Sequence, residues 1–85
     1  MAKYNIEIKK SAAKEIEHLP SKDRKKVLDK IGALAENPRP HDCKRLSAQE
    51  RYRIRCGDYR ILYSIEDDIL IVCVVKVAHR KEVYR

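Results

Sequence analysis

Tyr52-Arg53-Ile54-Arg55-Cys56-Gly57-Asp58-Tyr59-Arg60 alternates apolar or aromatic residues with arginine and then breaks at Gly57-Asp58. Period-two alternation marks a strand with one buried and one open face. Gly-Asp between two such runs suits a two-residue hairpin turn in which glycine takes the positive φ angle. That register sets Cys56 opposite Tyr59, Arg55 opposite Arg60 and Ile54 opposite Ile61. Tyr52, Ile54, Cys56, Tyr59, Ile61 and Tyr63 then form the core face, and Arg53, Arg55 and Arg60 share the open one. A turn one residue longer would shift the pairing and rotate Arg60 away. Arginines opposite each other on a sheet repel, and the guanidinium fork matches a phosphate. The face reads either as an anion site or as an ordinary solvated strand surface.

Outward from the hairpin, residues 3 to 9 alternate as a first strand, with Tyr4, Ile6 and Ile8 on one side. Ser11 is the expected N-cap of a short helix carrying Ala12, Ile16 and Leu19, which Pro20 stops. Ser21 is the expected cap of a second helix whose buried stripe is Arg24, Val27, Leu28, Ile31, Leu34 and Ala35. Asn37-Pro38 ends it, because the residue before proline is pushed out of the helical region. The short Leu19-Pro20-Ser21 corner makes the pair an αα-hairpin. Residues 38 to 50 read as a loop. Strands follow at about 51 to 56, 59 to 65 and 69 to 77, with Glu66-Asp67-Asp68 as a turn. The last strand is apolar almost throughout and is expected to be central and buried on both faces. The fold class is α+β: an N-terminal strand, an αα-hairpin, then a three-strand antiparallel meander, with both helices on one sheet face.

Eighty-five residues make one domain, spanning 1–85. Lys and Arg outnumber Asp and Glu by 20 to 13, a net charge of +7, which favours a polyanionic partner such as nucleic acid or an acidic protein. Residues 39 to 60 hold seven basic and three acidic residues, so the excess gathers on the loop and hairpin. The helical segment nearly cancels, with six basic against five acidic residues over 11 to 37, and reads as a solvated outer face. Three cysteines, Cys43, Cys56 and Cys73, do not form a disulfide framework and fit a reducing cytoplasm. No apolar signal segment opens the chain, and its longest apolar run, Ile69 to Val75, is too short to span a bilayer.

His41-x-Cys43 is the one close ligand pair, and nothing matches a zinc spacing. Cys73 reads as core. With only Gly32 and Gly57 there is no glycine-rich phosphate loop, and Asp67-Asp68 reads as a turn. No metal and no cofactor are expected. The tail Ala78-His79-Arg80-Lys81-Glu82-Val83-Tyr84-Arg85 reads alone as a frayed terminus. Beside three arginines it suggests a cationic floor, one imidazole and one tyrosine. That set could bind a phosphodiester and stabilise its transition state.

Over nearly its whole length the sequence resembles the RelE/ParE superfamily of type II toxins, and its RelE branch in particular. The likeness rests on the strand and helix pair ending in Asn37-Pro38-Arg39, and on Lys44-Arg45-Leu46. It continues through Tyr52-Arg53-Ile54-Arg55, Gly57-Asp58-Tyr59-Arg60-Ile61-Leu62-Tyr63 and His79-Arg80-Lys81-Glu82-Val83-Tyr84. The resemblance implies a ribosome-dependent endoribonuclease that cuts messenger RNA in the A site without metal. The ribose 2′-hydroxyl attacks the adjacent phosphate, leaving a 2′,3′-cyclic phosphate and a 5′-hydroxyl. Arg53 and Arg55 match the basic strand positions near the scissile phosphate. Arg60 and Arg80 match the arginines that hold it, and Tyr84 matches the tyrosine that orients the nucleotide. His79 is the acid or base candidate. Lys44, Arg45 and Arg51 are implied contacts to RNA or ribosome.

Some members have lysine at both strand positions, where this chain has arginine, which stays protonated far above neutral pH. That moves the proton transfers to His79 or to a purely electrostatic mechanism. The chain ends one residue after Tyr84, so the C-terminal helix of some members is expected to be missing. The implied partners are a cognate antitoxin and the ribosome with its message, with DNA reached only through the antitoxin complex and no membrane. Two other functions remain open: a ParE-like toxin that inhibits gyrase and cuts nothing, and a non-catalytic basic nucleic-acid-binding module.

Overall fold

The computed structural model describes residues 3–46 and 51–79. Its centre is the hairpin of β3 (Arg51–Cys56) and β4 (Tyr59–Glu66). Cys56 pairs with Tyr59, Arg55 with Arg60 and Ile54 with Ile61, so the loop is two residues long. Gly57 takes φ +61°, a value that costs a residue with a Cβ. β5 (Ile71–His79) pairs antiparallel with β4 and completes the meander. β1 (Asn5–Ile8) runs parallel to β5 on its other side.

Between β1 and the meander come α1 (Lys10–Glu17) and α2 (Ser21–Ala33). Ala12 and Ile16 on α1, and Val27, Ile31 and Leu34 on and just after α2, are buried at helical spacing. They meet Ile54, Ile61, Tyr63, Val72, Val74 and Val77 from one face of the sheet. Leu28 is 43% exposed and leaves the expected stripe. One residue past Val27 is a rotation of about 100°, and a single sheet below the helix reaches only a narrow stripe. The helices also start differently from expectation. Ser11 lies inside α1, whose N-cap is Lys9, and Ser21 is the first residue of α2, with Pro20 as cap. The Pro20 carbonyl accepts the Arg24 N–H, so the backbone opens α2 without a serine hydroxyl. α2 ends at Ala33 and closes through tightened turns, Leu34 N–H to Ile31 and Ala35 N–H to Gly32, so Asn37-Pro38 follows the end instead of making it.

The segment expected to be a loop contains β2 (Lys44–Leu46), antiparallel to β3, and the sheet order is β1-β5-β4-β3-β2. Three residues beginning Lys-Arg are too few to show a period of two. β5 begins at Ile71, because the turn before it takes Asp67 to Leu70, with Leu70 at φ +54°. The strand is interior but is not buried on both faces: Val72 and Val74 are sealed under the helices, whereas Ile71, Cys73 and Val75 are half-buried. One helix layer covers one face, and a run of β-branched residues does not report that difference. A bulge shifts the β4–β5 register between Leu62 and Tyr63. Where β5 outruns β1, the Glu15 carboxylate accepts the Val77 N–H at 2.9 Å and the Lys76 ammonium at 2.8 Å.

The loop leaving α2 is tied down by one cation. Arg39 donates to both oxygens of Asp67 at 3.2 and 2.8 Å, donates to the Tyr52 hydroxyl at 3.1 Å, and lies over that ring. Tyr4 donates to the same carboxylate at 2.7 Å. Tyr52 stacks on Tyr63, whose buried hydroxyl donates to the Pro38 carbonyl at 2.8 Å. These bonds hold Asp67 down at about 2, against an ordinary 3.8. A depressed carboxylate stabilises the fold above the ordinary value and loses that contribution as pH falls toward the depressed one. Acid titration of the melting temperature between about pH 4 and about pH 2 should therefore fall more steeply in wild type than in Asp67→Asn. Parallel curves would remove Asp67 from the network.

Candidate nucleic-acid interface

Alternation along β3 sends Arg51, Arg53 and Arg55 to the sheet face away from the helices. Across the ladders, Lys44 lies opposite Arg53, Leu46 opposite Arg51, Arg60 opposite Arg55, and Ala78 opposite Arg60. Partners in an antiparallel pair have Cβ atoms about 5 Å apart, so Lys44/Arg53 and Arg55/Arg60 are two like-charged neighbours on one surface. Lys44 and Arg55 are exposed, and Arg51 and Arg53 half-buried. None of the four ion pairs among the described residues uses Lys44, Arg53 or Arg55. An open cavity of about 340 Å³ lies between Asp42, Lys44, Arg53 and Arg55.

Arg60 departs from the open position expected of it: it is 3% exposed. It stands on the central strand β4, and Arg53 and Arg55 on its neighbour β3. A buried guanidinium is fixed in place and poorly hydrated, and such a group acts strongly on charge that develops nearby.

His79 is opposite Tyr59, and their rings meet edge-on at 5.5 Å. Tyr59 faces the helices and donates to Asp23 of α2 at 3.1 Å. His79 therefore opens into a different cavity, of about 810 Å³, with Lys14, His18 and Leu19 of the helix layer. The structure parts the imidazole from the arginines. Arg45, opposite Tyr52, also points away from the arginine face, while Lys44 and Arg51 share it. Arg80 and Tyr84 lie outside the described residues.

A family model described as "ParE toxin of type II toxin-antitoxin system, parDE" matches residues 6–84. The RelE1 protein of Methanocaldococcus jannaschii is 36% identical over 98% of this chain and 97% of its own length. The chain belongs to the RelE/ParE superfamily of type II toxins. Its fold is that of the RelE chain in the archaeal RelE-RelB complex from Pyrococcus horikoshii, with TM-score 0.83 and 28% identity over 94% of this chain and 97% of that one. The toxin–antitoxin complex RelBE2 from Mycobacterium tuberculosis gives a TM-score of 0.81 at 27% identity, covering 92% and 99%.

In this toxin the residue that sequence reasoning passed over is Asp42. It lines the arginine cavity and accepts the Lys30 ammonium at 3.3 Å. That bond holds its carboxyl below the usual range. Only its place two residues before Lys44 could have flagged it. The opposed cations give a stability test. Arg55→Thr removes the charge facing Arg60 and supplies a β-former, so it should stabilise the fold by about 0.5 kcal/mol in urea unfolding. A loss of stability would mean that the pair carries no repulsion.

Proposed function

We propose that this toxin is a ribosome-dependent endoribonuclease, one 85-residue domain that cuts messenger RNA in the A site. The ribose 2′-hydroxyl attacks the neighbouring phosphate, without a metal ion. The observation that carries this is the placing of Lys44, Arg53, Arg55 and Arg60 together on one sheet face, against cross-strand repulsion. A phosphodiester in transit to a cyclic phosphate gains negative charge, and fixed cations are what lower the energy of that state. In this reading Arg53 and Arg55 flank the scissile phosphate, and Arg60 holds its developing charge together with Arg80. Tyr84 orients the nucleotide. Lys44 meets the message RNA at the same cavity, Arg51 extends the face toward ribosomal RNA, and Arg45 contacts ribosomal RNA from the other side of the edge strand. His79 faces the helix layer and takes no proton from this cavity.

Two of the solved relatives, RelBE2 of Mycobacterium tuberculosis and RelE-RelB of Pyrococcus horikoshii, are toxin–antitoxin complexes, and the cognate partner of this chain is an antitoxin of that kind. Contact with DNA runs through that complex. The site of action is the cytoplasm, where ribosomes are, and no helix among the described residues is long and apolar enough to cross a membrane. A second reading follows from the ParE description of the family model: a toxin that inhibits gyrase and leaves message intact, with the arginine face as a docking surface.

Primer extension on a message held in a ribosome with an open A site separates the two. Cuts within the A-site codon, absent on naked RNA, are expected from wild type. Arg60→Ala and Arg80→Ala, checked for folding by circular dichroism, should each slow cleavage by about 100-fold or more. Intact message together with loss of gyrase supercoiling would establish the second reading instead.

A further inference from the structure

The arginine face binds and stabilises, but transfer of the 2′-hydroxyl proton needs an acceptor. Among the described residues that line its cavity, Lys44, Arg53 and Arg55 are cationic side chains that donate hydrogen bonds and accept none. His79 lies across the sheet. The other described lining residue is Asp42, whose carboxylate accepts.

A carboxylate among phosphate-binding cations weakens attraction for a polyanion, so its position calls for a return. Among the described residues, the charged groups around it are Lys30 from α2, His41 in the same loop, Lys44 from β2, and Arg53 and Arg55 from β3. All are basic, so they favour its ionised form. The Lys30 bond engages Oδ2. The loop behind it is pinned by the Cys43 N–H bonded to the Pro40 carbonyl at 3.0 Å. The carboxylate is thus oriented, and Oδ1 carries lone pairs able to accept a proton.

We propose that Asp42 is the general base of the cleavage, an assignment that rests on the endoribonuclease reading above. The 2′-hydroxyl proton passes to Oδ1 of Asp42. The 2′-oxygen forms its bond to phosphorus as the bond from phosphorus to the 5′-oxygen breaks. The Lys44 ammonium, in the same cavity, gives a proton to the departing 5′-oxygen. The products are a 2′,3′-cyclic phosphate and a 5′-hydroxyl. Solvent then exchanges the proton from Asp42 back to Lys44, so charge and atoms balance.

The test is single-turnover cleavage of A-site message on programmed ribosomes by wild type, Asp42→Asn, Asp42→Glu and Lys30→Met, with ribosome affinity measured separately. A general base contributes about 100-fold or more. Asp42→Asn should lose that much in the cleavage step while binding as tightly as wild type or tighter, because a negative charge leaves the cationic cavity. Asp42→Glu should recover part of the rate. Asp42 is at the surface, so the isosteric amide should fold, and melting curves check it. Asp42→Ser serves in its place if they fail. An Asp42→Asn rate within about threefold of wild type, or a moved cut site at full rate, would overturn the assignment. So would an equal fall in Lys30→Met, which keeps the carboxylate and removes only its tether. Wild type that cuts nothing would end the nuclease reading itself, a result distinct from all of these.

Discussion

The two-residue turn at Gly57-Asp58 fixes which side of the sheet the residues of β3 and β4 face. Gly57 can hold φ +61° without strain, and the short loop locks Arg55 opposite Arg60. A slip of one residue would send the arginines of β3 into the helix layer and Ile54 into water. The burial of Ile54, Ile61 and Tyr63 under the helices therefore determines where Arg53 and Arg55 stand. Core formation and the cationic face are two sides of one register.

The described acidic and basic groups are used differently on the two sides of the sheet. Acidic groups away from the cationic face are committed to structure: Glu15 seals the end of β5, Asp23 takes the Tyr59 hydroxyl, and Asp67 receives Arg39 and Tyr4. The even charge balance of the helical segment thus does not describe its surface, since part of its acidity is turned inward. Basic residues of β2 and β3 are treated differently. Lys44, Arg53 and Arg55 oppose other cations instead of carboxylates. Stabilisation comes from the helix side and repulsion is accepted on the other, which is a common arrangement for a surface shaped by a ligand.

Much of this was legible in the sequence because it rests on periodicity. Alternation in Tyr52–Tyr63 and the spacing of Val27, Ile31 and Leu34 are repeated signals, and the register, the helix pair and the meander followed from them. What was not legible depends on neighbours distant in sequence. Arg60 reads like Arg55 but is buried, a difference that its sequence neighbours do not report. His79 reads as part of the basic tail, yet its partner across the ladder is Tyr59. β2 is too short for a pattern. Asp67 looks like a turn residue, and its tie to Arg39 spans 28 positions. Asp42 joins the cavity only because β2 folds back on β3.

In the proposed reaction the arginine face stabilises the attack of a ribose hydroxyl on its own phosphate. The measurement that tests it most directly replaces the nucleotide on the 5′ side of the cut bond with its 2′-deoxy form, in a message held in the A site. Removing the attacking oxygen should abolish cleavage at that bond while the toxin still occupies the ribosome. Undiminished cleavage of the deoxy message would mean that water attacks the phosphate and that the arginine face does not serve an attacking 2′-hydroxyl.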